Sequence, residues 1–143
     1  TRFLTCSDDC SVKLWDTAAG TMAHSLDDAH SGVVRTIALI DAHTFATGSS
    51  DNLVKIWDLR TWSCLHSLAA HSGVVNCVAA PEGRTSLLSV GGDGKMCAWD
   101  AQEGSLIRSW TASSSTLFSV ATGEQYIVTG GRTGEAMIWG NGD

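Results

Sequence analysis

The sequence predicts an all-β fold built from repeated antiparallel sheets. Trp15, Trp57, Trp99 and Trp139 each close a similar phrase, at spacings of 42, 42 and 40 residues. Apolar and polar side chains alternate before the second tryptophan, over residues 54–57, as in a half-buried strand. No helical period stands out. A period of about 40–45 residues ending in Trp-Asp is typical of one four-stranded blade of a β-propeller.

The repeated phrases place the same strands and turns in each copy: TCSDDCSVKLWD (5–16), TGSSDNLVKIWD (47–58), SVGGDGKMCAWD (89–100) and TGGRTGEAMIWG (129–140). In the second phrase, residues 50–52 supply a turn, because Asp and Asn side chains bond nearby backbone amides. The turn after the tryptophan ends in Gly20 or Gly104 in two copies. Residues 64–68 are predicted to form the following strand, and Pro81 falls in another turn.

A second phrase precedes two of these copies, as AHSGVVRTIA (29–38) and AHSGVVNCVA (70–79). Its third copy, ASSSTLFSVA (112–121), has lost the histidine. Together the phrases resemble the WD-repeat (WD40) family, and the resemblance covers nearly the whole chain. The resemblance implies a β-propeller that binds other proteins.

On the blade pattern of that family, the chain begins on the second strand of one blade and ends on the third strand of a fourth. We expect 14 strands in a single partial β-propeller domain, residues 1–143, with two complete blades at about 29–69 and 70–111 and incomplete blades at about 1–28 and 112–143. The family usually has seven blades, so this is about half a ring. The chain lacks an initiating Met, and an open half-ring would expose sheet faces. We therefore expect the remaining blades to come from the same longer chain or from another subunit.

The family stabilises each blade with a hydrogen-bonded His, Ser or Thr, Asp and Trp. The resemblance implies two complete tetrads, one of His30, Thr47, Asp51 and Trp57 and one of His71, Ser89, Asp93 and Trp99. A buried Asp stays charged only if donors surround it, and His can both donate and accept. Because an active site would not be copied in successive blades, we expect a structural role and no catalytic residue.

The fourth blade departs from this pattern. Ser113 replaces the His, Thr133 replaces the Asp of the turn, and Gly140 replaces the Asp that follows Trp. Only Thr129 and Trp139 remain. We expect this blade to be the least rigid, or to be held by neighbours outside the chain.

Composition argues against several classes of function. The formal net charge is −6 and no stretch is rich in Lys or Arg, so direct binding of nucleic acid or anionic lipid is not expected. No run of about 18 apolar residues predicts a membrane span. No phosphate loop or nucleophile elbow is visible, so neither an enzyme nor a cofactor or small-molecule substrate is expected.

The cysteines favour a reducing environment. Five are present without a C-x-x-C pair, so neither a disulfide framework nor a zinc site is predicted. Cys64 and His66 would share a strand face, but two ligands do not make a metal site. Buried free thiols are the simpler interpretation, which suggests an intracellular protein of the cytoplasm or nucleus.

The leading functional hypothesis is a non-catalytic interaction scaffold within a multiprotein complex. By family resemblance, one rim is built from residues that precede the Asp of the turn and from residues near the start of the innermost strand. These are Asp8, Ser50, Gly92 and Arg132, and then Arg35, Asn76 and Phe118. Arg35, Phe118 and Arg132 are the strongest candidates for partner contact, since Arg and aromatic residues are favoured interface anchors. Each could equally be an ordinary rim residue.

Two alternatives remain open. Residues 45–60, FATGSSDNLVKIWDLR, resemble the sixteen-residue box of WD-repeat substrate receptors that dock onto the adaptor of a cullin–RING ubiquitin ligase. Arg60 is the residue that discriminates this box from ordinary blade sequence, but many unrelated WD repeats also carry it. Ala46 departs from the box, because a larger aliphatic residue is usual at that position. The second alternative is a structural subunit of a large assembly, such as ciliary, trafficking or RNA-processing machinery.

Trp62 is a separate candidate on the face opposite the rim. It stands where the other copies carry Gly20 and Gly104. A large apolar ring at an exposed turn is unusual, and Trp and Arg are common hot-spot residues, so Trp62 and Arg60 together form a predicted binding spot. In the alternative, the ring folds back over its blade edge as a packing cap.

Overall fold

A computed structural model of the chain describes residues 1–140. Residues 141–143, the end of the predicted blade 112–143, lie outside the described residues. The described part contains 14 β-strands and no helix, arranged in four antiparallel sheets of three, four, four and three strands. The predicted all-β partial propeller is therefore confirmed, while the approximate blade limits stay a prediction.

Each sheet is a meander in which every strand pairs with its neighbours along the chain. The first sheet contains β1 (Arg2–Cys6), β2 (Val12–Asp16) and β3 (Thr21–Leu26). The second contains β4 (Val34–Leu39), β5 (Thr44–Ser49), β6 (Val54–Asp58) and β7 (Cys64–Leu68). The third contains β8 (Val75–Ala79), β9 (Ser86–Gly91), β10 (Lys95–Asp100) and β11 (Ser105–Thr111). The fourth contains β12 (Leu117–Thr122), β13 (Tyr126–Gly131) and β14 (Ala136–Gly140).

The strand register decides which side chains meet the neighbouring sheets. In the second sheet, Phe45 lies opposite Trp57 and Ala46 lies opposite Ile56. Successive side chains on a strand point to opposite faces. The first pair therefore faces the preceding sheet and the second pair faces the following one. Because both faces are covered, the last five residues of β5 are all buried.

Three apolar layers fill the spaces between successive sheets. Each layer combines the tryptophan face of one sheet with smaller aliphatic residues of the sheet before it. Between the first and second sheets lie Val12, Val34, Phe45 and Trp57. Between the second and third lie Ile56, Val78, Leu87 and Trp99, and between the third and fourth lie Leu88, Met96, Leu117 and Val120.

The outer strands carry a recurring bulge. In β3, β7 and β11 one residue, Ala23, Leu65 or Ile107, has no partner in the register of the neighbouring strand. An extra residue bends an edge strand and hinders its pairing with a strand from another molecule. The outer edges are therefore poor templates for strand addition.

The two terminal sheets keep one face uncovered, and residues 1–140 do not close the ring. Phe3 is 48% exposed on the first sheet, and Tyr126 and Ile138 are 55% and 71% exposed on the fourth. Phe3 and Ile138 correspond to Phe45 and Ile56, which neighbouring sheets bury in the middle of the chain.

Candidate functional site

A chain of three hydrogen bonds joins the predicted tetrad of the second sheet. The indole Nε1–H of Trp57 donates to Thr47 Oγ1 at 2.9 Å, and Thr47 Oγ1 lies 2.7 Å from His30 Nε2. The other imidazole nitrogen, Nδ1, lies 2.9 Å from Asp51 Oδ2. A carboxylate can only accept, so Nδ1 carries the hydrogen and Nε2 accepts from the threonine hydroxyl. Every polar group of the set is therefore satisfied.

The third sheet repeats this arrangement with a serine in place of the threonine. Trp99 Nε1–H donates to Ser89 Oγ at 2.8 Å, and Ser89 Oγ lies 2.8 Å from His71 Nε2. His71 Nδ1 lies 3.0 Å from Asp93 Oδ1. The structure thus brings together all eight residues that the resemblance assigned to tetrads.

The terminal sheets hold partial versions of the same set. Trp15 donates to Thr5 Oγ1 at 2.9 Å, and Trp139 donates to Thr129 Oγ1 at 3.1 Å. At the fourth sheet, where Ser113 replaces His, the backbone N–H of Ser113 donates instead to the carbonyl of Gly94 at 3.0 Å. The loop that leads into the fourth sheet is therefore bonded to the third sheet through its backbone.

The order Ser89–His71–Asp93 has the connectivity of a catalytic triad, yet its geometry opposes nucleophilic catalysis. Ser89 is fully buried, and its Oγ already accepts the indole hydrogen of Trp99. A nucleophile must reach a substrate with a free lone pair. The buried hydroxyl therefore has no route to attack.

The charges of the tetrads follow from their burial and hydrogen bonds. Burial lowers the pKa of His30 below its ordinary value, against the opposing effect of Asp51. Burial alone would raise the pKa of Asp51, but hydrogen bonds from His30 and from the Leu53 N–H keep it below the ordinary value. The pair therefore holds a neutral imidazole that donates to a carboxylate.

Lys55 is a member of this network that the sequence interpretation missed. Its Nζ donates to the carbonyl of Ala29 at 2.7 Å and lies 5.6 Å from the centre of the Trp57 ring. The ammonium thereby satisfies a loop carbonyl beside His30 and adds a cation–π contact. The sequence could have indicated this role, because Lys55 stands on a predicted strand between two apolar residues, Val54 and Ile56.

The two groups of predicted rim residues meet at one end of the sheets. In each of the last three sheets, the turn after the second strand is bonded to the start of the innermost strand. The backbone N–H groups of Ser50, Gly92 and Arg132 donate to the carbonyls of Val33, Val74 and Thr116, at 3.0, 2.8 and 2.9 Å. Asp8 lies exposed in the corresponding turn of the first sheet.

Arg35, Asn76 and Phe118 share a structural feature that the sequence did not reveal. Each is the extra residue of a bulge near the start of an innermost strand. Arg35 is exposed and Phe118 is 53% exposed. Asn76 is only half-buried, and its Nδ2 donates to the carbonyl of Leu117 in the next sheet at 2.8 Å. Its amide therefore joins two sheets, which makes it a weaker candidate for partner contact.

Trp62 is not the exposed ring that its turn position suggested. The indole is half-buried and stacks on His24 of the first sheet, with ring centres 4.1 Å apart. It also lies 6.0 Å from Phe45 and packs against the apolar layer between the two sheets. The residue holds this place with a φ of 57°, which is uncommon for a bulky side chain. This geometry favours a packing cap between sheets over a binding spot.

Arg60 forms a two-pronged ion pair within its own turn. Its Nε and Nη2 donate to Asp58 Oδ1 and Oδ2 at 3.1 and 2.6 Å. Hydrogen bonds from the side chain and backbone of Arg60 hold the pKa of Asp58 well below its usual range. The guanidinium side chain is nevertheless 65% exposed, so it can also meet a partner.

Other features bear on the predicted chemistry. Within residues 1–140, no group of three or more His, Cys, Asp or Glu side chains could hold a metal ion. None of the described residues belongs to a helix long and apolar enough to cross a membrane.

The five cysteines are free, but only Cys97 is fully buried and Cys64 is exposed. The expectation of uniformly buried thiols is therefore wrong, because Cys64 begins an outer strand.

Comparison with known proteins identifies the repeat. The family model described as WD domain, G-beta repeat, matches residues 1–16, 20–58 and 62–100. These ranges end before the fourth sheet, which has lost the His and Asp of its tetrad. No curated protein matches the sequence.

Solved structures that share the fold include U3-55K and the RRP9 WD40 repeats. The structure of U3-55K aligns with a TM-score of 0.91 and 24% sequence identity over 97% of this chain and 45% of that chain. The crystal structure of RRP9 WD40 repeats aligns with the same score and identity over 96% of this chain and 44% of that chain. The chain thus spans less than half the length of either structure.

The tetrads predict the cost of removing their carboxylates. Asp51→Ala and Asp93→Ala should each lower the free energy of unfolding by about 1–3 kcal/mol, because each leaves a buried imidazole N–H without an acceptor. Thr133→Ala, at the exposed position of the fourth sheet, should cost less. Thermal melts of the full-length protein compare the three variants. Equal losses would contradict the assignment.

Acid should destabilise the protein through His30. Because its pKa is lowered from 6.5 in the folded state, the unfolded chain takes up this proton first as the pH falls. The free energy of unfolding should therefore decline below pH 6.5, and Asp51 should add a further loss below its ordinary pKa of 3.8. In His30→Gln, the free energy of unfolding should change less steeply with pH between about 6.5 and 4.5. The difference in slope should be up to about 1.4 kcal/mol per pH unit. Urea titrations of wild type and His30→Gln across this range measure the difference.

Replacing Trp62 should weaken the fold. Trp62→Gly relieves the positive φ but removes the buried ring and its stack on His24, so a net loss of about 1–2 kcal/mol is expected. A double-mutant cycle with His24→Ala should give a coupling of about 0.5–1.5 kcal/mol. A melting temperature unchanged by Trp62→Gly would restore the binding interpretation.

Proposed function

The chain belongs to the family of WD domain, G-beta repeats, and we propose that it acts as a non-catalytic protein-interaction scaffold within a multiprotein complex. The observation that carries the proposal is the repeated bulge at the rim. In three successive sheets the bulge presents a different side chain, Arg35, Asn76 or Phe118, from the same backbone position. A constant backbone with variable side chains, of which Arg35 and Phe118 are exposed, is suited to recognising a partner.

The buried tetrads support a scaffold rather than an enzyme. They recur in the second and third sheets, and their hydroxyls, imidazoles and carboxylates are bonded to one another. Their chemistry is thereby used to hold loops in place. We infer that the chain is not an enzyme and needs no cofactor or small-molecule substrate.

The rim offers cations that no carboxylate neutralises. Among residues 1–140, neither Arg35 nor Arg132 takes part in an ion pair, and both side chains are exposed. Arg side chains and aromatic rings such as that of Phe118 are frequent hot spots of protein interfaces. Asp8, Ser50 and Gly92 supply the neighbouring polar positions. We assign the primary partner surface to this rim.

A substrate receptor of a cullin–RING ubiquitin ligase is the second candidate. The exposed guanidinium of Arg60 favours it, since the fork to Asp58 fixes the side chain in one orientation while leaving it accessible. A structural subunit of a ciliary, trafficking or RNA-processing assembly stays a prediction. Under any of these functions, we propose an intracellular protein whose ring is completed by a longer chain or another subunit.

Affinity purification from the native cells tests the rim. Tagged full-length wild type, Arg35→Glu and Phe118→Ser are compared by quantitative mass spectrometry. Because both side chains are exposed, their melting temperatures should stay within about 2 °C of wild type. Both variants should lose at least one common partner by about tenfold or more, as expected for a hot spot of 1.4 kcal/mol or greater.

Two further variants separate the alternatives. Arg84→Glu reverses an exposed charge at the opposite end of the sheets and should keep the partners that the rim variants lose. Arg60→Ala should leave those partners unchanged, whereas selective loss of a ligase adaptor in this variant would favour the receptor function. Identical partner lists for wild type and both rim variants would refute the rim assignment.

A further inference from the structure

The carboxylates of the tetrads join turns of the rim to the loops that lead into their sheets. In the second sheet, Asp51 Oδ2 accepts the backbone N–H of Ser31 at 3.1 Å as well as the bond from the imidazole. In the third sheet, Asp93 Oδ2 accepts the backbone N–H of Ser72 at 2.9 Å beside its own imidazole bond. Each carboxylate therefore holds its turn against the loop through side-chain bonds.

The equivalent turn of the fourth sheet, residues 132–135, has no such bonds. Thr133 stands in place of the Asp and is exposed. Its side chain makes no hydrogen bond with the described part of the chain. Ser113 stands in place of the His, and its hydroxyl accepts an N–H within its own loop at 3.1 Å. Among the described residues, one bond joins this turn to its loop, from Arg132 N–H to the carbonyl of Thr116 at 2.9 Å.

The loop of the fourth sheet, residues 112–116, is instead attached to the third sheet. The backbone N–H groups of Ala112 and Ser113 both donate to the carbonyl of Gly94 at 3.0 Å. Gly94 has a φ of 72° and lies directly against the carbonyl of Ser113, so only a glycine fits this contact. The loop is therefore held by the neighbouring sheet rather than by the turn of its own sheet.

A third exchange at the same junction affects the contact between loop and turn. In the second and third sheets the loop carries Gly32 and Gly73. A Cβ at either glycine would lie 3.0 Å from the backbone nitrogen of Asp51 or Asp93 in the turn. Glycine thus permits close approach of the two segments. Ser115 occupies this position in the fourth sheet, so its Cβ stands where the other loops meet their turns.

We propose that turn 132–135 is a hinged segment of the rim, which opens and closes while the strands of its sheet stay paired. A segment opens locally when few bonds hold it, and here one bond joins turn to loop. The consequence for binding rests on the proposed function, which places Arg132 and Phe118 in the partner surface. Phe118 follows the loop that Gly94 holds, so a partner meets a fixed ring beside an adjustable cation.

Hydrogen exchange of the full-length protein, measured by NMR, tests the hinge. The N–H groups of Ser50, Gly92 and Arg132 make the same backbone bond, at 3.0, 2.8 and 2.9 Å. After correction for intrinsic rates, Arg132 should exchange at least about tenfold faster than the other two. The paired amides of β13 should exchange at least about tenfold more slowly than Arg132. Equal protection of the three rim groups would refute the hinge. Equal rates for Arg132 and β13 would show that the whole sheet opens instead.

Exchanged residues provide the matched variants. His71→Ser combined with Asp93→Thr gives the third sheet the residues of the fourth, and Gly92 should then exchange at least about tenfold faster while Ser50 keeps its rate. Thr133→Asp restores an acceptor for the loop and should slow Arg132 severalfold, whereas Thr133→Val, which offers no acceptor, should not. If the double variant does not fold, Asp93→Thr alone replaces it. An unchanged rate of Gly92 in the third-sheet variant would overturn the proposal.

The role of the hinge in binding has a separate measurement. In complex with the partner that Phe118→Ser loses, the Arg132 N–H should exchange at least about tenfold more slowly than in the free protein. Arg132→Glu should lose the same partner. An Arg132 rate that binding leaves unchanged would exclude the turn as an adjustable contact. If no partner depends on Phe118, the proposed function fails by itself, and exchange in the free protein still decides whether the hinge exists.

Discussion

The hydrogen bond between the imidazole of His30 and the carboxylate of Asp51 joins two loops at the rim end of the second sheet. One loop leads into the innermost strand and the other connects the second and third strands of the same sheet. The threonine hydroxyl and the Trp57 indole extend this bond into the apolar layer below. Since every member is buried and satisfied, removing one member leaves the others without partners. The rim depends on this bond because it fixes the loop that leads into the strand of Arg35 and the turn that contains Ser50.

Repetition explains why much of this arrangement could be predicted. A spacing of 42 residues places Thr47 and Ser89, or Asp51 and Asp93, at equivalent positions, so alignment of the copies identifies each tetrad. Alternation of apolar and polar residues likewise located the strands. The bulges at Arg35, Asn76 and Phe118 were not visible, because a bulge is a relation between two strands and leaves no fixed pattern in one of them. The exposure of Arg35 and Phe118 could therefore be predicted only by family resemblance.

Trp62 shows where local interpretation fails. Within its own turn the residue is an unusual apolar ring, and only the first sheet supplies the reason. His24, its stacking partner, lies on the outer strand of the first sheet and is half-buried. The same spacing of 42 residues relates His24 to His66, which meets Gly104 in the next junction. Comparison of the outer strands would have revealed this contact, whereas the turn sequences alone did not.

The proposed rim surface follows from a division between constant and variable positions. A tetrad residue cannot be replaced on its own, since each replacement leaves a buried polar group without its hydrogen-bond partner. The bulge residues Arg35 and Phe118 carry no such constraint, because their side chains are exposed and the backbone bonds beside them do not depend on residue type. Exchange of Arg35 for Phe118 at the bulge changes the side chain that is exposed, while the sheets below keep the same register. Binding surfaces can therefore diverge between successive sheets of one chain without loss of the fold.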